Sequence, residues 1–286
     1  MKVNLDCIPC FQKQALQAVR FISDDEKLQE KVLREVAKKL LELNWDLTPP
    51  ELAHQVHSMV KHITGKADPY KKVKKESNDS VLKMYPELKE KVKLSRDPLR
   101  TAVKLAIAGN IIDFGVAQDF DLEETIGEVL KKKFAIDDYR TLQQKLEDAK
   151  TLLYFVDNAG EIGFDKLLIE TFLEKKKLDK ICFVVKGGPI INDATLKDAE
   201  YMGLEELPNS EFLSISNGEA GTGPSRGSQT VKKWITDYDL VVSKGQGNYE
   251  GLSEHNGLFF MLMVKCPIIA ADLGVKVGDI ILEYKK

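Results

Sequence analysis

The sequence predicts an α/β protein with a helical N-terminal domain over residues 1–148. A three-layer α/β/α domain with a mostly parallel, doubly wound sheet follows over residues 149–286. Two observations predict this fold. Up to about residue 148, apolar residues recur every three or four positions, as they do on one face of a helix. From about residue 149, short apolar runs alternate with helical segments, which is typical of βαβ units with helices on both faces of a sheet.

Three signals in order support the helical half. Leu28, Val32, Val36 and Leu40 recur at the spacing of one helix face. Thr48, as an N-cap, and the Pro49-Pro50 pair that follows it predict the start of another helix. An apolar helix is then expected to begin at Asp97-Pro98. No convincing strand-like alternation occurs in this half.

Five apolar runs support the α/β half, each short and rich in aromatic or branched residues. The strand candidates are TLLYFVD (151–157), ICFVVKGG (181–188), FLSIS (212–216), DLVVSKGQG (239–247) and LFFMLMVKCPIIA (258–270), the last supplying one or two strands. Segments with a helical pattern separate the first four runs. The expected architecture is therefore a parallel sheet covered by helices on both faces.

Composition excludes several function classes. The chain has 286 residues, with 42 Lys and Arg against 45 Asp and Glu, giving a net charge of -3. Its pI of about 5.9 argues against a nucleic-acid partner. No apolar run approaches the roughly 20 residues that cross a bilayer, and the N-terminus lacks the apolar stretch of a signal peptide. Four cysteines do not make a disulfide scaffold. We therefore expect a cytoplasmic protein without a membrane partner.

Acidic and amide side chains follow the first two predicted strands. Asp157 and Asn158 follow the first strand, and Asp193 lies in the matching loop after the second. Ligands in open parallel sheets bind beyond the carboxyl ends of the strands. Two carboxylates and an amide oxygen suit Mg²⁺ or Mn²⁺. Each residue also has a purely structural interpretation, with Asp193 as a helix N-cap and Asn158 as a turn former.

Lysine followed by glycine occurs at two strand ends. Lys244 precedes Gly-Gln-Gly-Asn, and Lys186 precedes Gly-Gly. Glycine lets backbone N–H groups approach an anion, and a lysine there can act as a point charge on a phosphate. A metal with one or two lysines is what phosphoryl transfer requires, because stabilising oxygen charge is most of the task. Both lysines could instead be solvent-exposed strand ends.

Two further groups of residues could take part. Asn110 and Asp113 share a face of an otherwise apolar helix, so they either cross-link the two domains or face the site. Cys7 and Cys10 form a CxxC pair, which could be a second metal site with nearby histidines, a redox pair, or two partly buried thiols at a helix start.

Several motifs in order resemble one family. DNAGE at 157–161, KGGPIINDA at 186–194 and KGQGNYEG at 244–251 are similar to motifs of the damage-control phosphatases. This metal-dependent family was first catalogued as a domain of unknown function. TGKADPY at 64–70 and GNIIDFG at 109–115 also fit its pattern. The cysteine pair resembles the branch found in archaea and other microbes, and the match spans nearly the whole chain.

The resemblance implies an activity and roles for individual residues. Family members hydrolyse phosphate monoesters with Mn²⁺, Co²⁺ or Ni²⁺, sometimes Mg²⁺, and remove unwanted phosphometabolites such as sugar phosphates. Carried over by motif, Asp157, Asn158 and Asp193 are the metal ligands. The other carried-over roles are phosphate binding for Lys244 and Asn248, a place beside the substrate for Glu161, and closure of the site from the helical side for Asn110 and Asp113.

The expected function is therefore a metal-dependent phosphatase acting on a small phosphorylated metabolite. The phosphorus would be attacked in line, by a water or by Asp157 itself, with Lys244 neutralising an oxygen. Two other classes remain open. One is a methyltransferase that binds adenosylmethionine in the same crevice, and the other is a module that binds a phosphate ligand without turnover. Metal dependence separates the phosphatase from the methyltransferase.

Overall fold

The computed structural model describes residues 1–109, 122–216 and 228–286. The described chain alternates helices and strands after an all-helical start. The helices are α1 (Cys7–Arg20), α2 (Glu26–Leu41), α3 (Pro49–Thr64), α4 (Lys71–Lys93), α5 (Pro98–Gly109), α6 (Leu122–Lys131), α7 (Tyr139–Asp148), α8 (Glu161–Lys175), α9 (Leu196–Tyr201), α10 (Gln229–Asp237), α11 (Gln246–Leu252) and α12 (Pro267–Leu273). The strands are β1 (Phe134–Asp137), β2 (Thr151–Phe155), β3 (Lys180–Lys186), β4 (Ser210–Ile215), β5 (Leu240–Lys244), β6 (Leu258–Met263) and β7 (Ile280–Lys285).

The strands form one mostly parallel sheet in the order β1-β7-β6-β5-β2-β3-β4. Strands β2 to β6 pair in parallel, whereas β7 runs antiparallel to β6. After β2 the chain winds outward through β3 and β4, then returns to place β5 on the other side of β2. The loops after β2 and β5 therefore diverge at a topological switch point, where open α/β sheets form a ligand crevice. The predicted fold class is confirmed.

Side-chain alternation along the strands creates two apolar layers. In β2, Leu152 and Tyr154 belong to the core beneath α4, α5, α7 and α8, whereas Leu153 and Phe155 belong to the core beneath α10, α11 and α12. Successive strand residues point to opposite faces, so a strand buried on both sides reads as a continuous apolar run. This explains why β2, β3, β5 and β6 were recognisable from the sequence.

The first three helices form a third apolar cluster of their own. A capping box at Thr48 and Glu51 begins α3, as the sequence predicted for Thr48. Ile191, from the loop after β3, and Ile268, from α12, pack against this cluster. The Lys61 ammonium also donates to the Pro189 carbonyl oxygen at 2.6 Å. The helical cluster thus contacts the loops at the carboxyl ends of the strands.

Three elements differ from the sequence-based expectation. Strand β1 lies in the half predicted to be helical, and only Phe134 of its four residues is buried, so no alternation could reveal it. Pro267 begins helix α12 rather than a second strand within 258–270. Strand β7 was not predicted. The boundary proposed between residues 148 and 149 stays a prediction, although β1 pairs in the sheet before that point.

Within the three described ranges, no helix is both long enough and apolar enough to cross a membrane.

Candidate active site

The loops after β2 and β3 are hydrogen-bonded to each other through their backbones. Ala194 N–H donates to the Asp157 carbonyl at 2.8 Å, and Ala159 N–H donates to the Asn192 carbonyl at 2.9 Å. Asn158 and Asp193 face each other as an isolated antiparallel bridge. The structure therefore brings Asp157, Asn158 and Asp193 together, as the sequence predicted. Their role as metal ligands stays a prediction.

The surroundings of the Asp157 carboxyl change its pKa strongly. Burial raises its pKa well above the usual value, and the negative charges of Glu161 and Asp193 raise it further. Lys265 and Lys186 act in the opposite direction. Burial also raises the pKa of Asp193, opposed mainly by Lys186. Two carboxylates held close in a poorly solvated place repel each other, and a bound cation would relieve this repulsion.

The donor set fits a hard divalent cation. Asn158 Nδ2 donates to Asp157 Oδ2 at 2.9 Å and to Glu161 Oε2 at 3.2 Å, so its amide oxygen is the atom left for a cation. Among the described residues, no three His, Cys, Asp or Glu side chains come together as a metal site. One or two carboxylates completed by waters and substrate phosphate is the usual environment of Mg²⁺. Asp157, Asn158 and Asp193 would hold such an ion.

Gly245 makes room for Asp157 at the switch point. The residue has φ +79°, and a Cβ placed on it would overlap the Asp157 carboxylate. Glycine both adopts this backbone conformation and permits the close approach. The glycine of the predicted Lys-Gly motif thus positions the first carboxylate.

Lys186 is the predicted lysine that lies beside Asp193, and its charge also acts on Asp157. Its Nζ lies 3.4 Å from Asp193 Oδ2 and 3.5 Å from Asn248 Oδ1, and the side chain is mostly buried. Asn248 uses its Nδ2 to donate to the carbonyl oxygens of Val156 and Lys244. Asn248 therefore ties the ends of β2 and β5 together, and its oxygen faces Lys186. Phosphate binding by either residue stays a prediction.

Lys244 lies on the opposite face of the sheet from Lys186. It continues the face of Leu240 and Val242, whereas Lys186 continues the face of Cys182 and Val184. The Lys244 ammonium is fully buried and donates to the Ala106 carbonyl at 2.8 Å, to Glu161 Oε1 at 2.8 Å and to Asp165 Oδ1 at 2.6 Å. An ammonium has three donors, and all three are used here.

Glu161 links this buried network to the carboxylate pair. One of its oxygens accepts from Lys244 and the other from Asn158. Asp165, one helical turn after Glu161, accepts from Lys244 and from the Tyr154 hydroxyl at 2.8 Å. Burial raises the pKa of Asp165 to about 6. Burial alone would lower the pKa of Lys244, but Asp165 and Glu161 raise it overall. The predicted roles of Lys244 on phosphate and of Glu161 beside the substrate stay untested.

A cavity of about 480 Å³ opens over the carboxylates. Its lining includes Asp157, Asn158, Asp193, Lys186 and Asn248. Neither Lys244 nor Glu161 lines it among the described residues. Sequence reasoning missed Lys265, which also lines the cavity and lowers the pKa of Asp157. Lys265 follows β6, so it stands at the same edge of the sheet as the predicted residues.

Helix α1 brings the cysteine pair to the same cavity. Cys7 and Cys10 are free thiols at the start of α1, and both line the cavity. Burial raises the pKa of Cys7. Two of the three histidines of α3 contact other side chains through Nε2: His54 Nε2 is 3.1 Å from Ser216 Oγ, and His57 Nε2 is 3.3 Å from Gln14 Oε1. A second metal or redox role for the cysteines stays a prediction. Asn110 and Asp113 lie outside the described residues.

Known proteins match this chain over nearly its full length. The model of the damage-control phosphatase ARMT1-like domain matches residues 3–281. The chain belongs to this family. A protein of Archaeoglobus fulgidus named damage-control phosphatase is 35% identical, over 99% of each chain. Another so named, from Pyrococcus horikoshii, is 34% identical over 100% of this chain and 99% of its own length. Membership in the damage-control phosphatase family supports a phosphatase with a house-cleaning role.

A solved structure agrees with the sequence comparisons. A crystal structure of a DUF89 family protein from Pyrococcus horikoshii superimposes with a TM-score of 0.88 at 33% identity, covering all of both chains. A plant relative from Arabidopsis thaliana, also named damage-control phosphatase, is 26% identical over 100% of this chain and 87% of its own. The damage-control phosphatase family therefore accounts for both the fold and the ordered motifs.

Proposed function

We propose that this damage-control phosphatase relative is a metal-dependent hydrolase of phosphate monoesters of small metabolites. One observation carries the proposal. Two poorly solvated carboxylates, Asp157 and Asp193, lie beside the Asn158 amide and the Lys186 ammonium in a single cavity at the switch point of the sheet. This combination offers acceptors for a cation and a donor for a phosphate within one small volume.

The acidic and amide residues are suited to bind a cation, and the basic residues are suited to bind the phosphate. A divalent ion held by Asp157, Asn158 and Asp193 would supply a Lewis acid for a phosphoryl oxygen. The Lys186 ammonium lies 3.4 Å from Asp193 Oδ2 and 3.5 Å from Asn248 Oδ1, and from this position it can donate to a second phosphoryl oxygen. Lys265 adds positive charge to the wall of the cavity, which would attract an anionic substrate.

Two nucleophiles fit the site. A water beside the carboxylates could attack the phosphorus, or the Asp157 carboxylate could attack it to form an aspartyl phosphate that a water then hydrolyses. In either case the bond from phosphorus to the ester oxygen breaks, and the alcohol leaves after taking up a proton. Gly245 and Asn158 fix the position of that carboxylate, which favours in-line geometry in either case. Asn158 also donates to Glu161, and Glu161 is itself held by the buried Lys244 ammonium.

The experiment is phosphate release from p-nitrophenyl phosphate by protein treated with EDTA, followed by Mn²⁺, Co²⁺, Ni²⁺ or Mg²⁺. We expect no release in EDTA and restored release with at least one cation. Asp157→Asn, which keeps the size of the side chain, should remove the activity. Asp237→Ala, an exposed change at the end of α10, is the matched control and should leave it intact.

Folded protein that releases no phosphate with any of the four cations would contradict the proposal. Binding of adenosylmethionine by that same protein, measured by calorimetry, would then favour the methyltransferase class. Binding of a phosphate ester without turnover would favour a non-catalytic module.

A further inference from the structure

A buried polar network joins helix α4 to the loop after β2, the loop that carries Asp157 and Asn158. Asn78 of α4 is buried, and its Oδ1 accepts from the Gly160 backbone N–H at 2.6 Å. Gly160 comes two residues after Asn158 and is the N-cap of α8. The hydrogen bond joins residues 82 apart in the chain. Asn78 therefore holds this loop from an element that lies outside the sheet.

The other end of the same amide contacts the segment after β3. Asn78 Nδ2 donates to Asp198 Oδ1 at 3.2 Å. Asp198 Oδ2 accepts from Lys74 Nζ at 2.6 Å and from the Thr195 backbone N–H at 2.9 Å. Thr195 lies two residues after Asp193, in the segment between β3 and α9. One amide thus connects the loop of the first predicted carboxylate to the segment that carries the second.

Helix α4 approaches the loop very closely at this point. Gly160 has φ +77°, and a Cβ placed on it would lie 2.9 Å from the Cβ of Ser77. Ser77 directly precedes Asn78 in the buried part of α4. Because Gly160 has no side chain, the helix can come within hydrogen-bonding distance of the loop backbone. Steric packing and the hydrogen bond therefore fix the loop together.

We propose that Asn78 is a positioning residue for the cation site: it holds the loop after β2 at a set distance from the segment after β3. The inference rests on the proposed phosphatase function and adds to it a residue from outside the cavity. Among the described residues that line the cavity, Asn78 does not occur. Groups that orient metal ligands from outside typically change metal affinity or activity by about 10–100-fold when they are removed.

The first test removes the amide. Asn78→Ala leaves the Gly160 N–H without its acceptor, so its hydrogen exchange should be faster in protein treated with EDTA. Calorimetry then measures binding of whichever of Mn²⁺, Co²⁺, Ni²⁺ and Mg²⁺ binds the unchanged protein most tightly. We expect the dissociation constant to rise about tenfold or more, and kcat for p-nitrophenyl phosphate to fall by a similar factor.

Tyr139→Phe is the matched control for a loss of stability. It removes the hydrogen bond from the Tyr139 hydroxyl to Asp97, and neither residue lines the cavity. This variant should unfold more easily but bind the cation as the unchanged protein does, at a temperature at which all the variants are folded. Equal losses of cation affinity in Asn78→Ala and Tyr139→Phe would overturn the inference, because a merely structural role predicts them.

The second test exchanges the two partners. Asn78→Asp alone sets two carboxylates against each other, and Asp198→Asn alone sets two amides against each other. The double variant keeps one carboxylate and one amide and reverses only the direction of the hydrogen bond between them. Each single change should weaken cation binding about tenfold or more, and the double variant should return to within about threefold of the unchanged protein.

The remaining outcomes separate the inference from the proposed function. Unchanged cation affinity and unchanged exchange at Gly160 in Asn78→Ala overturn the inference, as does a double variant no better than either single variant. An unchanged protein that binds a cation but hydrolyses no ester overturns the proposed function, and the binding comparison still decides the role of Asn78. Folded protein that binds none of the four cations overturns both.

Discussion

Gly245 and Asp157 occupy adjoining space at the switch point, and the Asp157 carboxylate fills the position that a Cβ on Gly245 would take. This relationship explains why a glycine follows Lys244. The turn after β5 needs a positive φ, and the carboxylate after β2 needs the empty space. Both requirements are met by the absence of one carbon atom.

Gly245→Ala should therefore impair both the site and stability. Alanine at positive φ costs about 1 kcal/mol, and the overlap with Asp157 adds to it and displaces the carboxylate. We expect a fall in kcat/KM of at least about tenfold, measured with p-nitrophenyl phosphate. Gly257→Ala is the control, because Gly257 has φ +87° with nothing within 4 Å. Equal kcat/KM in the two variants would contradict the overlap argument.

Lys244→Met should mainly lower the stability of the protein rather than weaken substrate binding. The change leaves Glu161 and Asp165 buried without their cation, which typically costs about 3–5 kcal/mol. Urea unfolding measures the loss. Adding Asp165→Asn to the same protein should recover part of it. A Lys244→Met variant of normal stability and raised KM would show instead that Lys244 contacts the phosphate.

Lys186→Met should affect the reaction more than the fold. Loss of its ammonium removes the positive charge beside Asp193 in the cavity, and we expect kcat/KM to fall about 100-fold. Lys180→Met, on the same strand but partly exposed and paired with Glu211, is the control. Steady-state kinetics checks both. Indistinguishable values for the two variants would remove Lys186 from the phosphate site.

Glu250 should make stability depend on pH. Burial raises its pKa to about 7, against a bond from Gln246, whereas an unfolded glutamate titrates near 4.3. The raised pKa stabilises the folded state at low pH, and this contribution is lost as pH rises from about 4 through 7. Between pH 5 and 8 the loss is about 2–3 kcal/mol.

Unfolding of Glu250→Gln at several pH values checks this contribution. The variant should show a flatter dependence of the unfolding free energy on pH than the unchanged protein. Glu254→Gln, an exposed neighbour, should retain the original slope. If both variants keep that slope, the Glu250 carboxyl does not titrate in this range.

The sequence was sufficient to group the acidic and amide residues of the site, because one rule about parallel sheets applies to them. The carboxyl ends of neighbouring parallel strands share one edge, so residues that follow those strands meet there. Asp157, Asn158 and Asp193 could be grouped on that basis, and the structure brings them together. The runs buried on both faces also identified β2, β3, β5 and β6.

To predict the face of the sheet to which each lysine points, one must know the register of its strand. Lys186 and Lys244 each end a strand, but they point to opposite faces of the sheet, so one lines the cavity and the other is buried among carboxylates. The signal was present in the sequence. Lys244 follows Leu240 and Val242 at even spacing, and Asp165 lies one helical turn after Glu161.

The short edge elements could not be predicted for a different reason. Strand β1 has one buried residue and takes its stability from pairing with β7, which lies far along the chain. The local sequence pattern of a strand does not reveal a pairing partner that is distant in the chain. Lys265 was missed because its strand was expected to continue past residue 263, whereas Pro267 begins a helix.

The amide of Asn248 has a mechanical consequence. Its Nδ2 donates to the Val156 carbonyl at 2.9 Å and to the Lys244 carbonyl at 2.8 Å. One side chain therefore links the ends of β2 and β5 by two hydrogen bonds. Asn248 belongs to the short helix α11, so these two hydrogen bonds couple the position of α11 to the ends of β2 and β5. Because Gln246, Gly247 and Asn248 of α11 also line the cavity, a shift of α11 would change the cavity wall and the spacing of the two strand ends together.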